Sequence, residues 1–274
     1  MVDRKLTQRL LYAIFLARLG GDSTLDEFQK TDLNVEIKID GSFITKADRL
    51  AEKLMRSELS IKFPNDSIVG EEFGNHDGDS GWTWYLDPID GTEAFVRGVP
   101  LYGTLVSCSQ DNRDEIGVIY FPALSEIIFA SENGGAWWAN RVPKLSEEPK
   151  FSVPLKKAKV SRISNTNDAC LITTHNEWWD KMGKSDILSN LLSGFGIHRM
   201  WGHCYGPAMV ATGRADVFVE PSGHDWDFAS ARVIVEEAGG KATSIRGIET
   251  FQAGNIVATN GLLHNATLDL LKSL

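Results

Sequence analysis

Apolar residues along this chain keep two different periods. Near the N-terminus Leu6, Leu10, Ala13 and Ala17 recur at three- and four-residue steps, which predicts an amphipathic first helix. Residues 35–39 read as a short strand, followed by a turn at Asp40-Gly41-Ser42. Thr45 with Asp48 three residues later has the form of a capping box. It opens a second predicted helix running to about residue 59, with Leu50, Leu54 and Leu59 inward. Pro64-Asn65-Asp66 turns the chain into a strand at 67–69 that runs into Gly70-Glu71-Glu72. A further alternating stretch, 82–86, reads as a strand entering a core.

From residue 105 onward the period is two. Strand-like stretches at 105–109, 115–121, 126–131 and 135–139 are separated by Asp111-Asn112-Arg113, Pro122-Ala123 and Asn133-Gly134-Gly135. Connections this short predict an antiparallel meander. Residues 140–168 are charged and carry prolines, the best place for a sub-boundary between an N-terminal α+β half and a C-terminal α/β half. Beyond it, strands at 170–174, 197–201, 216–219 and 254–259 alternate with helices at 186–194, 207–213, 226–238 and 262–271. Strands first and alternating units later predict a layered mixed α/β architecture, read as a single unit over 1–274.

The densest chemistry lies at Asp87-Pro88-Ile89-Asp90-Gly91-Thr92, just past the 82–86 strand. Two carboxylates three apart flank a proline that fixes φ and lacks a donor. Gly91 and Thr92 follow, opening a short helix predicted over 93–97. Carboxylate oxygens suit Mg²⁺, and N–H groups at a helix start attract phosphate. The same string is also good turn chemistry, with Asp capping and Gly taking an unusual φ, so the hexapeptide alone leaves both readings open.

Bulk composition narrows the partners. Hydrophobic content of 42% and charged content of 24% are ordinary for a globular protein that stays in water. A net charge of −9 argues against nucleic acid or an anionic membrane as partner, and requires a metal if the substrate is a phosphate. Cys108, Cys170 and Cys204 are widely spaced, odd in number and in no CxxC pair, which fits a reducing cytoplasm. The longest apolar run, between Arg9 and Arg18, is far short of the ~20 residues a membrane crossing needs, and no small-x-small cleavage site follows it.

Other acids fall at element ends. Glu71 and Glu72 close a predicted buried strand, where charge requires a partner or a metal unless solvated. Asp48 has a plain role as the capping partner of Thr45, and Asp225 and Asp227 suit a helix first turn on electrostatic grounds alone. Rival signatures fail: Asn75, Asp77 and Asp79 begin like an EF-hand, but Ser80 and Leu86 stand where its Gly and Glu belong. No HExxH, GxSxG or P-loop string occurs. No Arg lies six past any Cys, and Asp87 to Asp90 is one too far for a DxD nucleophile. The tryptophans at 82, 84, 137 and 138 read as sheet packing rather than ligand stacking.

Gly70-Glu71-Glu72, then Asp87-Pro88-Ile89-Asp90-Gly91-Thr92, then Trp226-Asp227 ahead of Glu236-Glu237-Ala238-Gly239-Gly240 resemble the inositol monophosphatase superfamily in identity, order and spacing. The likeness runs from about Leu10 to the C-terminus. It implies a five-layered αβαβα sandwich, usually a homodimer, a small phosphorylated metabolite as substrate, Mg²⁺ (two or three per site) and, in many members, inhibition by Li⁺. Carried over by position, Glu71, Asp87 and the Ile89 carbonyl would bind a first metal, and Asp87, Asp90 and Asp227 a second, with Glu71 near a weaker third. Thr92 and Asp48 match the pair that activates the attacking water, while Gly91 and Thr92 N–H groups would hold the phosphate.

Within that family residues 95–105, the turn Gly134-Gly135-Ala136-Trp137-Trp138 and Trp201-Gly202-His203-Cys204-Tyr205-Gly206 look most like the histidinol-phosphate phosphatase branch. That branch generally has Asp where this chain has His203. His203 is either a substrate neighbour or a helix-end or core histidine. Glu220, seven before Asp227, matches the position that contacts the non-phosphate part of the substrate. Inositol 1-phosphate is the next substrate in line, then 3′-phosphoadenosine 5′-phosphate and fructose 1,6-bisphosphate. A metal- or phosphate-binding regulator on the same scaffold is disfavoured, because Asp48 and Thr92 serve water activation rather than binding.

Overall fold

The long first helix packs against one large sheet, and the short hairpin after it lies against the second and third helices. The computed structural model describes residues 4–39, 41–111, 113–148 and 151–272; Asp40 and Asn112, expected in turns, lie outside the described residues. Helix α1 (Arg4–Thr24) is followed by the antiparallel pair β1 (Val35–Ile37) and β2 (Phe43–Thr45), then α2 (Lys46–Lys62). Helix α2 starts at Thr45 with the expected capping box: Thr45 Oγ1 accepts from Ala47 N at 3.1 Å, and Thr45 N donates to Asp48 Oδ2 at 2.8 Å. Its inward stripe is Ala47, Ala51, Met55 and Leu59, with Leu54 half-buried. The expectation for Leu50 is corrected: it is 44% exposed, because it precedes Met55 by five residues and falls on the far side of a 3.6-residue turn.

The chain then lays down β3 (Ser67–Gly70), β4 (Gly74–His76), β5 (Trp82–Asp90), the short helix α3 (Thr92–Val96), β6 (Gly103–Gln110), β7 (Arg113–Phe121), β8 (Glu126–Ser131), β9 (Gly135–Asn140) and β10 (Lys156–Lys157). These strands form an eight-stranded sheet ordered β10-β9-β8-β7-β6-β5-β3-β4. Strands β5 to β9 are the antiparallel meander the short turns predict, and only β3 runs parallel to its neighbour β5.

The remaining elements are β11 (Cys170–Thr173), α4 (Asn176–Lys181), α5 (Ser185–Gly194), β12 (Ile197–Arg199), α6 (Tyr205–Ala211), β13 (Val217–Glu220), α7 (Asp225–Glu237), β14 (Lys241–Thr243), β15 (Ile256–Thr259) and α8 (His264–Lys272). Their strands make a five-stranded sheet ordered β12-β11-β13-β15-β14. Helix α4 and strands β4, β10 and β14 have no counterpart in the sequence reading, being too short for either period to register.

Three apolar clusters fill the four interfaces between five layers, αβαβα. Ala13, Leu16 and Ala17 of α1 and Met55 and Leu59 of α2 bury one face of the large sheet at Trp84, Val106 and Val118. On its other face Leu105, Ile119 and Phe121 meet Val210 of α6 and Phe228 and Ile234 of α7, whose far sides reach Phe218 and Ile256 of the small sheet. This central core therefore draws on chain from both sides of 140–168. Leu171, Val219 and Val257 face Trp179, Leu191 and Leu268 in the outer helical layer. Helix α7 lies so close to β7 that a Cβ on Gly117 would come within 2.5 Å of the Ser230 carbonyl. The expected packing of Trp82 and Trp84 is also present, and Arg9 ties α1 to that corner through Asp66 at 2.9 Å, which also accepts from Trp84 Nε1 at 2.9 Å. Among the described residues no helix is long and apolar enough to cross a membrane.

Candidate active site

Strand β5 does not stop at Leu86, as the sequence reading has it, but runs on through Asp90. Residues three apart on a regular strand face opposite sides. Here the register against β6 slips, since Asp87 pairs with Leu105 while Asp90 pairs with Gly103. One extra residue on β5 resets the phase, so both carboxylates point into one space. Asp227 joins them from the third position of α7, and ligand atoms of Asp87, Asp90 and Asp227 all lie within 4.8 Å of one another.

Asp227 retains its capping role as well, accepting from His224 N through Oδ2 at 2.7 Å. Asp87 is 1% and Asp90 8% exposed, so little water offsets the crowding. Burial, and then the charges of Glu71, Asp90 and Asp227, push the Asp87 carboxyl well above the usual carboxylate range. Burial and the neighbouring Asp90 do the same to Asp227. A set of hard oxygen donors with this mutual repulsion suits a divalent cation of the Mg²⁺ type.

Glu71 follows β3 directly, its N–H donating to Leu86 O at 3.2 Å. Its carboxylate and that of Glu72 grip one cation, Lys38, at 2.7 and 2.8 Å. Burial raises the Glu72 carboxyl to about 7, against the pull of Lys38. Lys38 escaped the sequence reading because a single lysine past a three-residue strand carries no periodic signal. Charge balance at a half-buried pair of glutamates is the cue that points to such a partner.

The capping and catalytic readings of Asp48 turn out to be compatible. Oδ2 takes the Thr45 hydroxyl at 2.6 Å, while Oδ1 faces Thr92 Oγ1 at 3.4 Å. Asp48 is fully buried, and that burial raises its carboxyl to about 6 despite the Thr45 hydrogen bonds. Thr92 Oγ1 also reaches the Ile89 carbonyl at 3.0 Å. Gly91 caps α3 at φ +87°, the left-handed region where a side chain is strained, so glycine is required between Asp90 and Thr92.

Opposite this wall stand His203 and Glu220. His203 has φ +60° and places Nδ1 3.5 Å from Asp90 Oδ1, with its side chain 36% exposed. Its backbone N–H donates to Glu220 Oε2 at 3.4 Å, and Cys204 N–H donates to Asp90 Oδ2. Burial disfavours the imidazolium, but Asp90 outweighs it and lifts His203 to about 9. Burial likewise works to raise Asp90, yet His203 and Cys204 hold that carboxyl below its usual range. Glu220, 7% exposed, is pushed up to about 7 by burial. The ten residues singled out from sequence thus gather at one end of the large sheet, α7 and β13.

The model of the inositol monophosphatase family matches residues 6–274. A histidinol-phosphatase of Chlorobaculum parvum is 36% identical over 259 residues, covering 94% of this chain and 94% of that protein. A histidinol-phosphatase of Mycobacterium tuberculosis is 33% identical, covering 96% of this chain and 98% of its own. Among solved structures, an IMPase of Thermotoga maritima superposes with a TM-score of 0.82 at 27% identity, covering 96% of each chain.

Proposed function

The chain belongs to the inositol monophosphatase family, and on that footing we propose that it is a Mg²⁺-dependent phosphomonoesterase acting on histidinol phosphate. The observation that carries the chemistry is the meeting of Asp87, Asp90 and Asp227 within 4.8 Å, beside the Thr92–Asp48 pair. These carboxylates, with Glu71 and the Ile89 carbonyl, would hold a divalent metal, which would supply charge neutralisation at the phosphoryl oxygens and a more acidic water. Thr92 Oγ1 is placed to orient an attacking water, and Asp48 Oδ1 to take its proton through the hydroxyl. Gly91 and Thr92 N–H groups hold the phosphate at the start of α3. A positioning lysine, Lys38, keeps Glu71 and Glu72 from repelling each other out of place.

The substrate assignment rests on the histidinol-phosphatases among the relatives and on Glu220, a buried carboxylate placed for an ammonium or imidazole group. Inositol 1-phosphate is the second reading. It is favoured by the imidazole of His203 standing where an anion would better greet a cationic substrate. We place the enzyme in the cytoplasm as a homodimer, from the unpaired cysteines and the family's habit. The test is a phosphate-release assay on histidinol phosphate, inositol 1-phosphate, 3′-phosphoadenosine 5′-phosphate and fructose 1,6-bisphosphate, with Mg²⁺ or with chelator. Histidinol phosphate is expected to lead, and chelator to abolish release. Full release in excess chelator, with no retained metal, would overturn the mechanism.

A further inference from the structure

Glu52 is a glutamate with no exposed surface, one helical turn beyond Asp48 on α2. Nothing in the sequence reading or the proposed chemistry uses it. Its carboxylate accepts from the backbone N–H of Glu72 at 2.7 Å and of Phe73 at 3.2 Å. Those residues form, with Glu71, the tight turn that joins β3 to β4, where Gly70 pairs with Gly74. Arg56, a turn further along α2, donates Nε to Glu52 at 2.7 Å and Nη2 to the Gly74 carbonyl. The glutamate thus takes two N–H groups of the turn, and the arginine both balances its charge and closes the turn's far end.

The fit leaves no slack. A Cβ on Gly70 would stand 2.2 Å from Glu52 Oε1 and 2.6 Å from Arg56 Nη2. A buried carboxylate is costly unless hydrogen-bonded, so its retention here implies that the turn must be held. We propose that Glu52 is a positioning residue: from α2 it fixes the turn that carries Glu71, and so sets the geometry of that ligand toward the metal. Helix α2 thereby presents the proton acceptor Asp48 and the anchor of Glu71 on one face, four residues apart. This rests on the metal reading given above for Glu71.

The test is Mn²⁺ binding to the full chain, read by electron paramagnetic resonance, alongside the melting temperature without metal. Glu52→Gln keeps the shape but turns an NH₂ toward one of the two N–H donors. Loss of a hydrogen-bonding partner behind a ligand typically costs about 10–100-fold in metal affinity, and that rise in Kd is expected here. Leu59→Ala loosens the same helix at the core without touching the turn; it is expected to lower Tm yet leave Kd within twofold. A rise under fivefold in Glu52→Gln overturns the proposal, and so does an equal weakening in Leu59→Ala. Should Glu52→Gln fail to fold, Gly70→Ala displaces the same carboxylate and is judged by the same limits. A parent chain that holds no Mn²⁺ overturns the metal reading itself, and this proposal with it.

Discussion

Nδ1 of His203 stands 3.5 Å from Oδ1 of Asp90, so an imidazolium and a metal would contend for one carboxylate. The pair is partly exposed, and such pairs contribute only about 0.2–1 kcal/mol. His203→Ala is therefore expected to tighten Mg²⁺ binding by up to about fivefold, measured by calorimetry. Unchanged or weaker binding would show that His203 does not compete. His203→Asp, the residue of the histidinol-phosphate branch, should in turn improve turnover of histidinol phosphate.

Thr92 Oγ1 stands 3.4 Å from Asp48 Oδ1, the exit for a proton in the proposed mechanism. Thr92→Ala should lower kcat by about 10²–10⁴-fold while leaving Mg²⁺ affinity unchanged. A variant as active as the parent means that the water is activated elsewhere.

Glu220 is buried against the backbone of His203 and titrates near neutrality, at about 7. Comparison at pH above that value keeps it ionised. Glu220→Gln is expected to raise KM for histidinol phosphate by about one to two decades, the worth of a charge-assisted hydrogen bond of roughly 1.5–3 kcal/mol. Inositol 1-phosphate, lacking a cation, should be affected far less. Equal effects on both substrates would remove Glu220 from recognition.

His264 lies 1% exposed between Thr243 Oγ1 at 3.0 Å and Thr259 Oγ1 at 3.1 Å, and burial pulls it down to about 4. The folded state favours the neutral ring, so the unfolded chain binds more protons between about pH 4 and 6.5. Its contribution is full above about pH 6.5 and is lost as pH falls toward 4, on the order of 3 kcal/mol in total. His264→Gln should flatten the pH dependence of urea midpoints in that window. An unaltered slope would mean that other groups govern it.

The sequence disclosed those parts of this design that repeat or that occur at element ends. Periods of two and of three to four placed the meander, α1, α2 and α7, and charge at the ends of β3 and β5 drew attention to Glu71, Asp87 and Asp90. What it could not disclose depends on phase and on distance along the chain. Leu50 looked inward because leucine is apolar, whereas the cap at Thr45 and the row Ala47–Ala51–Met55 set the helix's rotation. The bulge that brings Asp87 and Asp90 to one side is a property of pairing with β6, not of either residue. Lys38 and Glu52 reach the Glu71 turn across 33 and 20 residues of chain, too far for any local pattern.

The three carboxylates that converge come from two lengths of polypeptide: Asp87 and Asp90 precede the stretch between β9 and β10, and Asp227 follows it. A chain cut in that stretch would yield one piece with the large sheet's acids and another with α7, neither holding the full donor set. Catalysis would then require the pieces to find each other and rebuild the shared interior of Leu105, Phe121, Phe228 and Ile234. Phosphate release on mixing would be a direct reporter of that reassembly.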